Sequence, residues 1–178
     1  MLAMEDWSSE LTLLREAGHS LAPGLSEAEL TSAERRCGAP FPVDLKSLLG
    51  TAHPVGAGFP DWRDLASSKI DEALSWPFEG IRFDIERAGF WWPAWGIRPA
   101  SLVEAIEMAR GAMRRVPRLI PVFSHRYVPA EPRLEGNPVL SVYQTDVIYY
   151  GRDLRTYLRH EFGKLSYAEA TTPAPRYV

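Results

Sequence analysis

Several features that would reveal a chemistry are absent from this chain of 178 residues. Its only cysteine is Cys37, so no disulfide can form within the chain and no paired-cysteine metal site is present. The sequence also contains no glycine-rich phosphate loop and no nucleophile elbow around a serine. The sequence signatures of nucleotide-binding enzymes, α/β-hydrolases and cysteine-ligated zinc proteins are therefore missing. Residue chemistry alone does not assign a function.

Long hydrophobic runs and an excess of basic residues are missing as well. No apolar run approaches the roughly 20 residues that a membrane-spanning helix needs. The first residues, MLAMEDWSSE, carry acids where a secretory signal carries Lys or Arg, so we expect a cytoplasmic protein without membrane contact. Residues 1–90 hold 15 acidic and 8 basic side chains, whereas residues 91–178 hold 8 and 12. This balance makes nucleic acid an unlikely partner, but an acidic face could steer a basic protein partner.

Helical patterns fill the first half of the chain and recur at two later points. Ser26 is followed three residues later by Glu29, and Ser101 by Glu104, which is the capping-box spacing that opens a helix. We expect a loop at residues 51–58, and Pro77 should end the helix before it because proline lacks an N–H. The sequence predicts helices at about Ser8–Glu16, from Ser26 to Gly38, within FPVDLKSLLG, over Trp62–Leu74, from Ser101 to a point before Pro117, and over Leu154–Phe162.

The stretch from Leu119 to Tyr150 has the alternation of short strands. Apolar residues alternate with polar ones in several runs, and Asn137-Pro138 and Gly151 supply the breaks. Such runs favour antiparallel pairing with one buried face. Helices followed by a strand-rich stretch and a closing helix predict an α+β fold, with an antiparallel sheet flanked by helices in a single domain.

Tryptophans give the first set of candidate binding residues. Trp91, Trp92 and Trp95 lie in an aromatic segment, residues 76–95, for which we expect short strands and turns. The rings could form a platform for a sugar or an anchor for a protein partner, because tryptophan is frequent at binding hot spots. The alternative is a wall of the core, which is the commoner role of such residues.

A second set of candidates follows the run LIPVF. His125, Arg126 and Tyr127 stand at its end, where strands often present polar side chains, and Asp146 lies on the next hairpin. These four residues are candidates for contact with a partner or ligand. They could equally form a buried polar network, in which Asp146 caps a turn and Arg126 pairs with an acid such as Glu131.

A catalytic interpretation of the same region is weaker. A triad of Ser124, His125 and Asp146 can be written, but adjacent residues of one strand point to opposite faces, which would separate the serine from its base. His160 and Glu161 could join them around zinc, although no two histidines stand at i and i+4. We therefore expect no catalytic residue and no metal site.

Longer phrases of the sequence resemble a known family. GLSEAELTSAERRCGAPFPVDLKSLLG, followed by FWWPAWG, LIPVFSHRYVPAEP, GNPVLSVYQTDVIYYG and DLRTYLRHEF, is similar to bacterial SMI1/KNR4 domains of the SUKH superfamily, over about residues 24–163. The resemblance implies an α+β domain that binds proteins and has neither catalytic residues nor a cofactor. Bacterial members often act as immunity proteins that neutralise toxins, and eukaryotic members resemble regulators.

These observations together give a set of expectations. We expect an N-terminal helix and linker at residues 1–23, an SMI1/KNR4-like domain at 24–165 and a flexible tail at 166–178. The protein should be a non-catalytic protein-binding module, either an immunity protein for a bacterial toxin or a regulatory scaffold. The alternative is a small-ligand or carbohydrate-binding domain that uses the tryptophan segment, and an uncharacterised enzyme is a third possibility. The partner and the oligomeric state stay open.

Overall fold

The computed structural model describes residues 6–174, and in this range helices and antiparallel strands form one α+β unit. This confirms the predicted fold class. The helices are α1 (Ser8–Glu16), α2 (Glu27–Cys37), α3 (Val43–Thr51), α4 (Ser68–Arg87), α5 (Leu102–Met113), α6 (Leu154–Glu161) and α7 (Tyr167–Thr171). The strands are β1 (Ser20–Pro23), β2 (Ala52–Val55), β3 (Leu119–Phe123), β4 (Arg126–Pro129), β5 (Val139–Tyr143) and β6 (Asp146–Gly151).

Helix starts that depend on local capping are where the sequence predicts them. At α2 the Ser26 hydroxyl accepts a hydrogen bond from the Glu29 N–H, and the Glu29 carboxylate accepts one from the Ser26 N–H at 2.7 Å. Gly38, with φ of 72°, ends this helix in the left-handed conformation that glycine adopts without strain. The Ser101 hydroxyl likewise accepts from the Glu104 N–H at the start of α5.

The main sheet is an antiparallel meander in the order β3-β4-β5-β6. Side chains on successive residues of β4 reach opposite layers, since Arg126 bonds Glu161 of α6 whereas Tyr127 bonds the Ala73 carbonyl of α4. The sheet therefore lies between α6 on one side and α4 on the other.

A second, two-stranded sheet corrects the loop expected at residues 51–58. Ala52–Val55 forms β2, which pairs antiparallel with β1. Pro54 lies opposite Leu21 in this ladder. Because a two-stranded sheet has only edge strands, a proline costs it no central hydrogen bond, so the proline content was a poor reason to exclude a strand.

Helix α4 corrects a second expectation. The segment from Trp62 to Leu65 lies in turns, and the helix starts at Ser68 and continues through Pro77 to Arg87. Strands and turns were predicted for much of the region that its second half occupies. The sequence argument was wrong because contacts from the sheet compensate for the proline, as described below.

The main core joins the N-terminal helices to α6 and the sheet. Trp7, which precedes α1, and Leu11 and Leu14 of α1 belong to the same buried cluster as side chains of α2, α3, α6 and the sheet. Glu10 is fully buried beside them, and its two carboxylate oxygens lie 3.0 Å from Arg155 Nη1 and 2.6 Å from Arg159 Nη2. The first helix is thus part of the core, while the division of the chain at residues 23 and 165 stays a prediction.

The segment after residue 165 is more structured than the flexible tail we expected. Ser166 caps α7, Ala170 is fully buried, and the Arg152 N–H donates to the Ala170 carbonyl at 2.7 Å. Residues 175–178 of the expected tail lie outside the described residues. Within residues 6–174, none of the helices combines the length and the hydropathy needed to cross a bilayer.

Candidate functional site

A groove opens between five parts of the fold: the middle of α4, the tryptophan segment, the end of α5, the start of β3 and the β5–β6 hairpin. Its volume is about 260 Å³. Two polar residues of the hairpin turn, Gln144 and Thr145, contribute to a lining that is otherwise apolar. We call it the Trp92 groove; its walls are formed by Pro77, Ile81, Phe90, Trp92, Trp95, Ala112, Met113, Val116, Leu119, Val142, Gln144, Thr145 and Val147.

The groove exists because the hairpin is fixed against α4. A Cβ at Gly80 would lie 2.7 Å from the Gln144 Cα, so only glycine allows this approach. Four residues further along α4, the buried Asp84 accepts hydrogen bonds from the Thr145 N–H at 3.0 Å and the Thr145 hydroxyl at 2.6 Å. Trp76 Nε1 also donates to the Val142 carbonyl at 2.9 Å.

The three candidate tryptophans have different environments. Trp91 donates its Nε1–H to the Gly96 carbonyl at 2.7 Å and meets Trp95 edge to face, with the ring centroids 5.2 Å apart. Both rings belong to a small second core cluster around Ile85. Trp92 is 54% exposed and lines the groove. A single 3-10 turn, Pro93–Trp95, creates this difference in place of the expected strands.

Exposed apolar side chains surround the mouth of the groove. Val116 at the end of α5 and Val147 on β6 are 49% and 48% exposed, similar to Trp92. β6 is an edge strand of the main sheet. Large apolar side chains that remain exposed next to one concave surface are typical of an interaction site.

Arg126 and Tyr127, predicted as contact residues, are buried. Arg126 donates to Glu161 at 3.2 Å and to the Ser141 hydroxyl at 3.0 Å, and its guanidinium lies 3.7 Å from the Tyr150 ring centroid. The predicted acidic partner of Arg126 exists, but it is Glu161 on α6 rather than Glu131. Tyr127 is fully buried and its hydroxyl donates to α4. In this arrangement neither side chain is available to a partner at the surface.

The positions of Ser124 and His125 show that the prediction of opposite faces for these two residues was wrong. They form the turn between β3 and β4, where Ser124 has φ of 49°, and the Ser124 Oγ lies 3.2 Å from His125 Nδ1. The rule of opposite faces does not apply because neither residue is in a strand. Burial, followed by the nearby Arg126 charge, lowers the pKa of His125.

Asp146 does not complete a triad with these two residues. It is exposed at the first position of β6, and no hydrogen bond or ion pair joins it to His125 in the part of the chain that the structure describes. It caps no turn there either. Asp146 instead stands in sequence between Thr145 and Val147, two residues that line the Trp92 groove.

Residues 6–174 contain no cluster suited to a metal ion and no ionised thiol. Within this range no group of three or more His, Cys, Asp or Glu side chains is placed to hold a metal ion. Cys37 is buried at the end of α2, and burial raises the pKa of its thiol to about 12, which keeps it protonated.

Most of the groove was not predicted from the sequence. Ile81, Met113, Val116 and Val147 come from elements far apart in the chain, and nothing local marks them as one surface. Val116 carried no signal of exposure either, because it lies three residues after Met113 and so continues the apolar face of the predicted helix.

Comparisons of the chain with family models, with curated proteins and with solved structures found no match. The resemblance to SMI1/KNR4 domains therefore stays a prediction from the sequence.

Proposed function

We propose that this chain is a non-catalytic protein-binding module that holds an apolar side chain of its partner in the Trp92 groove. The observation that carries the proposal is the groove itself: a largely apolar concavity fixed by backbone contacts and bordered by three half-exposed apolar side chains. Interfaces obtain most of their binding energy from a few aromatic or aliphatic anchors in such sites.

The size and polarity of the groove favour a protein side chain over a free small ligand. Its volume of about 260 Å³ is below the roughly 300–1,000 Å³ of most small-molecule pockets. A sugar would need hydrogen-bonding groups beside an aromatic face. The Thr145 hydroxyl is already engaged by Asp84, and the edge-to-face contact of Trp91 with Trp95 leaves no shared flat platform.

The resemblance to SMI1/KNR4 domains supports a more specific version of the proposal. In that version the protein acts in the cytoplasm, as an immunity protein that occludes a bacterial toxin or as a regulatory scaffold. Co-expression with a toxin encoded beside its gene should then restore growth. A Trp92→Ala variant should lose this protection, whereas growth arrest despite wild-type protein would count against the immunity version.

A peptide-display selection tests the binding proposal without a known partner. Peptides enriched on the wild-type protein should bind the Trp92→Ala variant at least about tenfold more weakly, as expected for loss of a hot-spot anchor. Val147→Thr keeps a β-branched side chain but adds a hydroxyl where the hairpin lines the groove, so it should also weaken peptide binding.

Phe83→Ala is the matched control, because Phe83 is an aromatic residue of α4 that is 49% exposed but does not line the groove. It should leave binding unchanged. Thermal unfolding of each variant shows whether its fold is intact. Peptides that bind Trp92→Ala as well as wild type, or a failure to enrich any peptide, would overturn the proposal.

A further inference from the structure

We infer that the partner segment seated in the Trp92 groove carries acidic side chains next to its apolar anchor. This inference rests on the proposed function and adds the chemistry of the partner. Its basis is the charge at one bank of the groove, where α5 ends.

Two arginines stand between residues that line the groove. Arg114 and Arg115 lie between Met113 and Val116 in sequence, and both side chains are exposed. Among the described residues neither arginine forms an ion pair. They are therefore two adjacent cations, beside an apolar concavity, whose charge is not neutralised by this chain.

Two other arginines near the groove are engaged within the protein. Arg82 of α4 pairs with Glu79 and Glu86, each at 2.9 Å. Arg98 donates to the Gly89 and Ile85 carbonyls and so fastens the tryptophan segment to α4. Arg114 and Arg115 differ from these arginines, so the end of α5 is a side of the groove that carries positive charge without an ion pair among the described residues.

The hairpin side of the groove carries the reverse charge. Asp146 is exposed beside Thr145 and Val147 on the hairpin. A segment in the groove would thus meet cations at α5 and an anion at the hairpin, which favours acids on the α5 side of its anchor. Complementary charges of this kind speed encounter and set orientation more than they add affinity.

This inference differs from the basic partner expected from the acid-rich first half of the chain. Several of those acids are neutralised internally in the structure. Glu29 pairs with Arg63 at 2.6 Å, and Lys46 lies 3.3 Å from Glu27 and 3.9 Å from Glu34. The counted excess of acids does not therefore mark the binding face.

Two synthetic peptides test the inference. Both have an apolar centre of one Trp and two Leu; one is flanked by glutamates and the other by lysines at the same positions. Fluorescence anisotropy at low and high salt measures their binding to the wild type and to Arg114→Glu/Arg115→Glu. The glutamate peptide should bind the wild type more tightly, by about tenfold at low salt, with the difference shrinking at high salt because exposed charges are screened.

The double charge reversal should exchange the preference, so that the lysine peptide becomes the tighter ligand. Lys164→Glu is the control, because it changes an exposed cation far along the chain from the groove residues and should leave both affinities unchanged. Trp92→Ala should weaken both peptides.

The outcomes separate the inference from the proposed function. If both peptides bind equally and both need Trp92, the groove binds proteins but the acidic preference is wrong. If binding does not depend on Trp92, the proposed function fails as well. Failure of both peptides to bind also overturns the inference, and the display selection then decides the proposed function independently.

Discussion

Tyr127→Phe removes one hydroxyl and should destabilise this protein, because that hydroxyl bonds the backbone of α4, a helix to which the tyrosine does not belong. Pro77 lies inside α4 and has no N–H. In a regular helix the N–H of residue 77 would bond the carbonyl four residues earlier, which is that of Ala73. The Tyr127 hydroxyl donates to this carbonyl at 2.7 Å. The tyrosine therefore supplies the donor that the proline lacks.

The size of the effect follows from the carbonyl that is left behind. A buried acceptor without a partner costs about 1–3 kcal/mol. For a chain of this length, 1 kcal/mol corresponds to roughly 2–4 °C in Tm. We expect Tyr127→Phe to lower the free energy of unfolding by about 1–3 kcal/mol. In a Pro77→Ala background the restored N–H can satisfy Ala73, so the same substitution should cost less than about 1 kcal/mol.

Urea unfolding of the wild type, the two single variants and the double variant measures the coupling between the two positions. The effect of Pro77→Ala alone cancels in this cycle. Tyr143→Phe is the matched control, because Tyr143 is 55% exposed and its hydroxyl makes no hydrogen bond within residues 6–174. Equal costs of Tyr127→Phe in both backgrounds, or a cost no larger than that of the control, would refute the explanation.

Four further substitutions probe the fold. Gly80→Ala should lower Tm, because overpacking against the hairpin backbone costs about 1–3 kcal/mol and outweighs a helix-propensity gain of about 1 kcal/mol. Gly111→Ala in α5 should raise Tm, because nothing lies near the added methyl group. Glu10→Gln should lower the free energy of unfolding, measured in urea, by ~3 kcal/mol. This is the low end for a broken buried pair, because the two arginine partners of Glu10 are partly exposed. A loss of less than about 1 kcal/mol would contradict this prediction. Burial lowers the pKa of His53, so below its ordinary pKa of 6.5 the unfolded chain binds a proton that the folded protein excludes. The urea midpoint should thus fall from pH 7 to pH 5 more steeply in the wild type than in His53→Gln, and parallel curves would refute this.

Elements determined by neighbouring residues could be predicted from the sequence. The reciprocal cap of Ser26 with Glu29 and the alternation after Leu119 depend on residues a few positions apart. The course of α4 could not be predicted, because the donor that compensates Pro77 comes from a residue 54 positions away from Ala73. The pairing of β1 with β2 is similarly non-local.

In the candidate site, too, local features could be predicted from the sequence and long-range ones could not. The tryptophan segment was singled out from the sequence as a candidate site, but the sequence could not tell which ring would be exposed. Trp91 and Trp92 are neighbours, and their different environments follow from the turn at Pro93–Trp95 and the bond to the Gly96 carbonyl. Tyr127 was predicted at a binding surface because polar residues often end strands, yet its hydroxyl satisfies the backbone of a helix.

The contacts that build the Trp92 groove also hold the fold together, and this has a consequence for its variants. Gly80 and Asp84 bring the hairpin turn onto α4, and the same contact places Thr145 in the groove wall. Substitution of either residue should reduce stability and binding together. Trp92 lies at the rim, half exposed and outside both core clusters, so its loss should reduce binding while stability is retained. Under the proposed function, a groove whose walls are structural and whose rim is not could change its partner through substitutions at the rim alone.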